Sequence, residues 1–278
     1  MPALNISHFD MGTLKPDATV LLVGKRGTGK STLLKDLMYN MASHFDFGIA
    51  MSPTEESTQM LSSVLPASLT FSEFNEKAVG RMLAYQKRHI KRAEKKHRNM
   101  FIIMDDCAFD AKSLKNKFMR EVFMNGRHRK IFLVFAVQYM MDVPSCLRGQ
   151  IDYVFAMRDN IIDQREKLWK YFCGMFTDYK DFSAVMDSCT QGYNCLTINN
   201  TVRSNNPEDC VFWYCAEPCL PPFRLCSPVF WELHDHFFRD WEIEDEGSVT
   251  DQHGGGGGGV SPNRNAALVV RVCDKRAR

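Results

Sequence analysis

A glycine-rich loop between a predicted strand and a predicted helix constrains the fold of this chain more than any other feature. The loop matches the phosphate-binding pattern G-x-x-x-x-G-K-[ST] at every fixed position. An apolar run at residues 20–23 leads into it, and a helix-compatible segment at residues 32–38 follows it. Glycine allows a tight turn in which successive N–H groups point at phosphate oxygens, and the helix N-terminus adds partial positive charge. We therefore predict a nucleotide-binding P-loop rather than a glycine-rich turn without a ligand.

The P-loop pattern also predicts roles for individual residues in binding ATP and Mg²⁺. Lys30 is expected to reach the β- and γ-phosphates, and the Ser31 hydroxyl is expected to be a Mg²⁺ ligand. The chain lacks the [NT]KxD motif that reads guanine, which favours ATP over GTP. The predicted nucleotide-binding residues are Gly24, Lys25, Arg26, Gly27, Thr28, Gly29, Lys30, Ser31 and Thr32.

A second motif, NMFIIMDD at residues 99–106, has the form of a buried strand that ends in two carboxylates. Burying an unpaired charge is costly, so two acids at such a strand end favour a functional role. Asp105 is the predicted Walker B acid, which holds Mg²⁺ through the water shell of the ion. Asp106 is predicted to orient and deprotonate the water that attacks the γ-phosphate.

Another buried strand is predicted at residues 131–137, and it ends in Gln138. A polar side chain at this position can report whether the γ-phosphate is present, although it can also simply cap the strand. Arg127 and Arg129 precede the strand, where surface charge is the usual role of an arginine.

The alternation of predicted strands and helices indicates an α/β fold with a mostly parallel central sheet and helices on both faces. Residues 194–199 and 209–216 form a hairpin-like pair that would extend the sheet as a C-terminal β extension. The order of the strands that carry Lys30, Asp105 and Gln138 favours the additional-strand class of P-loop NTPases. In that class, one strand separates the P-loop strand from the strand that carries the acid pair or the sensor.

Composition divides the chain into a lead-in at residues 1–17, an ATPase domain at residues 18–243 and a flexible tail at residues 244–278. The tail contains six consecutive glycines at residues 254–259. A hydrophobic content of 45% excludes global disorder, and no run of apolar residues is long enough to predict a membrane span. The N-terminus lacks the regions of a signal peptide, so we expect a reducing compartment.

The ten cysteines are accordingly expected to be thiols. Zinc is the alternative for Cys210, Cys215, Cys219 and Cys226, which are followed by His234 and His236. Four, three and six residues separate these cysteines, without a CxxC pair, and this spacing disfavours zinc.

A long helix predicted at residues 72–98 is strongly basic in its second half. Between Lys77 and Arg98 the sequence has nine Lys or Arg residues and two His against the single acid Glu94, although the net charge of the chain is only +2. A charge run is usually a solvated helix face. The imbalance of sign also favours contact with nucleic-acid phosphates, and the helix could instead face a neighbouring subunit.

Taken together, the motifs GKRGTGKST, FIIMDDC, NGRHRKI, LVFAVQY and DYVFAMRDN resemble the genome-packaging ATPases of nucleocytoplasmic large DNA viruses, of the poxvirus type. That family belongs to the FtsK–HerA superfamily of DNA-pumping motors, and the resemblance covers roughly residues 18–215. It implies hydrolysis of ATP coupled to translocation of double-stranded viral DNA into a preformed capsid. It also implies a homo-oligomeric ring, a hexamer or pentamer, that works with capsid or portal components in the virion or in a viral factory in the host cytoplasm or nucleus.

By position between the acid pair and the Gln138 strand, Arg127 or Arg129 resembles the arginine finger that this superfamily supplies across a subunit interface. Arg127 is favoured because it lies in the GRH string. One residue departs from the superfamily, which generally has Glu where this chain has Asp106.

Two other functions remain open from the residues alone. A nucleotide or nucleoside kinase would need an acceptor pocket and an arginine-rich lid, which the basic stretches do not decide. A nucleotide-gated scaffold would bind ATP for assembly and hydrolyse little of it.

Overall fold

The computed structural model describes residues 4–92, 99–106, 114 and 116–238. Its strands are β1 Thr19–Val23, β2 Phe45–Met51, β3 Thr70–Phe71, β4 Asn99–Asp105, β5 Ile131–Val137, β6 Tyr153–Ala156, β7 Asn194–Asn199 and β8 Val211–Cys215. Its helices are α1 Lys30–Met41, α2 Glu55–Ser62, α3 Glu76–Lys91, α4 Lys117–Asn125, α5 Ser145–Arg148, α6 Ile162–Phe172, α7 Tyr179–Cys189, α8 Pro207–Cys210 and α9 Pro228–Phe237.

The strands form one sheet in the order β3-β2-β4-β5-β1-β6-β7-β8. The pairs from β3 to β6 are all parallel, whereas β7 and β8 are antiparallel to their neighbours. β5 therefore lies between the P-loop strand β1 and the acid strand β4, as the additional-strand class requires. The α/β class, the mostly parallel sheet and the C-terminal β extension are all confirmed.

The central strands are buried on both faces, because each face is covered by helices. Every residue of β5 is buried, which explains its uninterrupted apolar sequence. Successive strand residues point to opposite faces, so Ile102 belongs to one apolar cluster and Ile103 to the other. α1 packs into the Ile103 cluster, and α3, α4, α6 and α7 pack into the Ile102 cluster.

The basic helix is shorter than the predicted span of residues 72–98. It begins at Glu76, because the Asn75 side chain accepts a hydrogen bond from the Ala78 N–H and caps the first turn. The described helix ends at Lys91, and residues 93–98 lie outside the described residues.

The prediction of a strand over residues 209–216 was wrong at its start. Asp209 and Cys210 belong to α8, since Pro207 at the first helical position has a φ angle already suited to a helix. The strand itself begins at Val211.

The predicted glycine-rich tail at residues 244–278 lies outside the described residues. Within the described part of the chain, none of the helices combines the length and the apolar character needed to cross a membrane.

Candidate nucleotide-binding site

The P-loop connects the end of β1 to the start of α1 at the carboxyl edge of the parallel strands. Gly27 and Gly29 adopt φ angles of 76° and 94°, in the left-handed region that favours glycine. A Cβ atom on Gly24 would lie 2.6 Å from the Met157 side chain, so this position also requires glycine. The Thr28 hydroxyl donates a hydrogen bond to the Lys25 carbonyl and closes the turn. The loop thus presents the first N–H groups of α1 for binding an anion.

The acid pair lies next to this loop. Asp105 is the last residue of β4, and Asp106 follows it with a φ angle of 50°. The Asp106 Oδ1 atom lies 3.4 Å from Lys30 Nζ, and its Oδ2 atom accepts a hydrogen bond of 3.2 Å from Gln138 Nε2. Asp106 therefore contacts two other predicted site residues, Lys30 and Gln138, which come from separate parts of the sequence.

Asp105 is almost completely buried, with 3% of its surface exposed. Burial raises the pKa of its carboxyl above the ordinary value, and a hydrogen bond with the Ser57 side chain opposes that rise. A buried carboxylate with a raised pKa is stabilised in its charged form by a nearby cation. The Ser31 hydroxyl and the Asp105 carboxylate line the same cavity and are the hard oxygen donors that Mg²⁺ takes in proteins.

A cavity of about 780 Å³ opens over the loop and the acid pair. One side is formed by the loop and the first turn of α1, namely Lys25, Arg26, Gly27, Gly29, Lys30, Ser31 and Thr32. Asp105 and Asp106 lie beside them, and Thr54, Glu56 and Ser57 contribute from the start of α2.

Part of the cavity lining comes from the C-terminal β extension, which was not predicted to contact the nucleotide. Tyr193 precedes β7, Cys215 ends β8, and Ala216 and Pro218 follow it. In the sequence, the one available signal was a tyrosine directly before a predicted strand.

Lys25 is held by a neighbouring strand end. Its Nζ atom lies 2.8 Å from Asp159 Oδ1, and Asp159 follows β6. This ion pair fixes the first half of the P-loop against the strand that flanks β1.

Arg127 and Arg129 lie at the opposite edge of the sheet, before the first residue of β5. Arg127 pairs with Asp152, and Arg129 Nη2 lies 3.4 Å from Glu121 Oε1. The seven residues of β5 span about 20 Å between these arginines and Gln138. Neither arginine therefore reaches the cavity of its own chain, and a finger role requires a second copy of the chain.

Within the described residues, no cluster of three or more His, Cys, Asp or Glu side chains could hold a metal ion. Cys210 is buried, Cys215 and Cys219 are exposed and Cys226 is partly buried, each as a free thiol.

The inserted strand β5, the P-loop and the acid pair define a P-loop NTPase of the α/β class. The chain belongs to the Poxvirus A32 protein family, whose model matches residues 6–213. This match confirms the resemblance to the poxvirus-type family.

Two relatives of the chain are proteins of viruses. The Uncharacterized protein 088R of Invertebrate iridescent virus 3 is 35% identical over 198 residues, which cover 71% of this chain and 75% of the relative. The Uncharacterized protein 015R of Frog virus 3 (isolate Goorha) is 32% identical over 226 residues, or 80% of this chain and 68% of the relative.

Two solved structures illustrate the shared fold. The DNA-packaging ATPase B204 from Sulfolobus Turreted Icosahedral Virus has a TM-score of 0.51 and 17% identity, covering 74% of this chain and all of B204. Thermomonospora curvata EccC (ATPases 2 and 3) has a TM-score of 0.51 and 12% identity, covering 76% of this chain and 39% of EccC. At these identities the similarity shows the fold alone.

Proposed function

We propose that this chain is a viral genome-packaging ATPase that couples hydrolysis of ATP to translocation of double-stranded DNA into the capsid. The observation that carries this proposal is the contact of Lys30, Asp106 and Gln138 at the P-loop. Membership of the Poxvirus A32 family and the fold shared with the packaging ATPase B204 support it.

In this proposal the P-loop N–H groups and Lys30 bind the phosphates of ATP. Ser31 and Asp105 would hold Mg²⁺, which would supply positive charge to neutralise the negative charge that develops on the phosphates. When ATP binds, the Lys30 amine contacts the γ-phosphate in place of Asp106. The Asp106 carboxylate is then available to orient a water molecule and accept its proton.

Gln138 would couple the chemistry to movement. Its amide donates to Asp106, and it follows the last residue of β5. Loss of the γ-phosphate changes what Asp106 and Lys30 contact, and Gln138 transmits that change to the segment after β5. The shorter Asp106, where the superfamily generally has Glu, is held in place by this hydrogen bond.

The account requires a ring of several copies. Arg127 is the more exposed of the two candidate arginines, with 58% of its side chain accessible against 26% for Arg129. Arg127 of one copy would stabilise charge at the γ-phosphate bound by the next copy. Such a finger increases the rate by about 10³–10⁵ in P-loop enzymes.

DNA contact is assigned to the exposed side of α3. The helix buries Val79, Met82 and Leu83, so most of its basic residues are directed away from the core. Lys87 is partly neutralised by Glu121 at 2.7 Å, and Arg88 and Lys91 extend the basic surface. Contacts of Lys and Arg with phosphates release counterions, so affinity for DNA should fall steeply with salt. We also propose that the ring works with capsid or portal components. Its site of action would be the virion or the viral factory.

The test is the rate of ATP hydrolysis by the full chain, with and without long duplex DNA, at low and moderate salt. Strong, salt-sensitive stimulation that disappears in Lys30→Ala is the expected result. Hydrolysis that ignores DNA but responds to a nucleoside acceptor would favour a kinase instead. ATP-dependent assembly that survives Asp106→Asn, with little hydrolysis in the wild type, would favour a nucleotide-gated scaffold.

A further inference from the structure

We propose that the C-terminal β extension forms the nucleobase subsite of the cavity, with the ring of Tyr193 as the surface on which a purine base stacks. This inference rests on the proposed binding of ATP at the P-loop. It adds a second contact region to that site, formed by residues about 160 to 190 positions away in the sequence.

The position of Tyr193 follows from the antiparallel pairing of β7 with β8. Asn194, the first residue of β7, lies opposite Cys215, the last residue of β8. Because β7 runs opposite to β6, both residues lie at the sheet edge where the P-loop begins α1. The Tyr193 Cδ1 atom lies 3.6 Å from the position that a Cβ atom on Gly29 would occupy. The ring therefore stands next to the turn that presents Lys30.

The Tyr193 side chain is unusually open for an aromatic residue. It is 74% exposed, and no other aromatic ring of the described residues packs against it. One cavity thus contains both the phosphate-binding groups of the P-loop and an uncovered aromatic ring beside them. A nucleoside triphosphate carries the matching groups, a charged triphosphate and a flat, polarisable base.

The part of the C-terminal β extension that forms the subsite is hydrogen-bonded to α1, the helix that follows the P-loop. Asp36 of α1 is only 1% exposed and accepts hydrogen bonds from the Tyr214 hydroxyl at 2.5 Å and from the Glu217 N–H at 3.3 Å. Asn40 Nδ2 donates to Asp36 Oδ1 at 3.0 Å. A buried carboxylate with several donors is a strong constraint, because losing a donor leaves part of the buried charge without a hydrogen bond. The distance between the P-loop and this part of the β extension is therefore fixed before a nucleotide binds.

The side chains of the subsite favour recognition of the flat face of the nucleobase. Tyr193 offers a stacking surface, and Ala216 and Pro218 offer small apolar surfaces. Stacking is sequence-tolerant because every base has a π-face, and it is stronger for the larger purines. We therefore expect ATP and GTP to gain from Tyr193 to a similar extent, and UTP to gain less.

The experiment compares binding of ATP and of inorganic tripolyphosphate, with Mg²⁺, to the full chain by calorimetry. Tyr193→Ala should weaken ATP about tenfold, within the range expected for loss of one stacking contact, and leave tripolyphosphate unchanged. Tyr193→Phe should keep the affinity for ATP. Tyr171→Ala is the matched control, because Tyr171 is exposed on α6 and contacts Arg148 rather than the cavity.

Three results would overturn the subsite. Equal losses for ATP and tripolyphosphate would mean that Tyr193 supports the P-loop and does not touch the base. Unchanged ATP binding in Tyr193→Ala would mean that the ring contacts no part of the nucleotide. Loss of ATP binding in both Tyr193→Phe and Tyr193→Ala would assign the effect to the hydroxyl. A wild type that binds ATP no more tightly than Lys30→Ala would instead overturn the proposed function.

Discussion

Gln138 donates a hydrogen bond to Asp106, and the 3.2 Å contact joins the ends of two adjacent strands at the P-loop. β5 ends just before Gln138, and β4 ends just before Asp106. Asp106 also lies 3.4 Å from Lys30 Nζ, so the carboxylate links the end of β5, which we propose senses the nucleotide, with the loop that we propose binds it. The site is therefore arranged so that a change at the γ-phosphate reaches β5 through a single side chain.

Replacing Gln138 should separate turnover from nucleotide binding. Gln138 contacts Asp106 but does not line the cavity, so Gln138→Ala should lower kcat about tenfold or more with little change in KM for ATP. Steady-state ATPase kinetics with long duplex DNA present measure both constants. A raised KM with an unchanged kcat would contradict this role, because it would mean that Gln138 contributes to ground-state binding alone.

Removing the Tyr214 hydroxyl should destabilise the fold. Tyr214→Phe leaves the buried Asp36 carboxylate without its shortest hydrogen bond, at a cost of about 2 kcal/mol in the free energy of unfolding. Denaturant unfolding followed by circular dichroism measures the difference. Tyr39→Phe is the matched control on α1, the helix that carries Asp36, because the Tyr39 ring packs on Phe223 and its hydroxyl has no hydrogen bond with any described residue. Equal stability of the two variants would refute the importance of this contact.

The advantage of the wild type over Tyr214→Phe should also depend on pH. Burial, followed by the nearby Asp36, raises the pKa of the Tyr214 hydroxyl well above its ordinary value of about 10. The stabilisation is then complete below pH 10, because Tyr214 is protonated in both the folded and unfolded states. Above pH 10 only the unfolded chain loses this proton, so the advantage should shrink as pH rises. The free energy of unfolding of the wild type and of Tyr214→Phe is measured at several pH values. An advantage of the wild type that grows above pH 10 would contradict the hydrogen bond assigned between Tyr214 and Asp36.

Nucleotide should protect one exposed cysteine from alkylation. Cys215 is exposed and lines the cavity, whereas Cys219 is exposed outside it. ATP with Mg²⁺ should slow modification of Cys215 by iodoacetamide several-fold and leave Cys219 unaffected. Cys195 should stay unmodified throughout, because burial raises its pKa to about 12. Peptide mass spectrometry reads out the three sites, and equal rates at Cys215 with and without ATP would place the nucleotide elsewhere.

Mixing two inactive variants tests Arg127 as a finger that acts between copies. Arg127→Lys can keep an ion pair with Asp152 but lacks the planar guanidinium, and it should lose most DNA-stimulated turnover. Lys30→Ala should be inactive for a different reason, because it lacks the phosphate-binding amine. Mixed rings contain sites with an intact P-loop beside an intact Arg127, so the mixture should recover activity. Arg120→Lys is the control for an exposed arginine of α4, and a mixture that recovers nothing would argue against a finger at Arg127.

The central site could be predicted from sequence because its parts obey local rules. The P-loop, Asp105 with Asp106, and Gln138 each lie at the end of a buried strand, and the carboxyl ends of parallel strands meet at one edge of the sheet. The inserted strand β5 and the antiparallel extension were also predictable, since each has a clear apolar pattern.

The rest depends on contacts that no local pattern encodes. Tyr193 and Cys215 reach the P-loop only because β7 and β8 return to its edge, and Asp36 meets Tyr214 across 178 residues. The two-residue strand β3 is too short to have a pattern. α9 was missed because it buries none of its side chains fully, although Phe230 stacks on Phe47.

The most direct test of the proposed function is whether ATP hydrolysis moves the protein along DNA. A triplex-forming oligonucleotide bound to a long duplex reports translocation by its displacement, which is followed by fluorescence in the presence of ATP and Mg²⁺. We predict displacement by the wild type, and none by Asp106→Asn, which should still bind ATP. Asp163→Asn, an exposed carboxylate on α6 paired with Lys167, should displace the triplex like the wild type. Rapid, DNA-stimulated hydrolysis by the wild type that leaves the triplex in place would contradict the account.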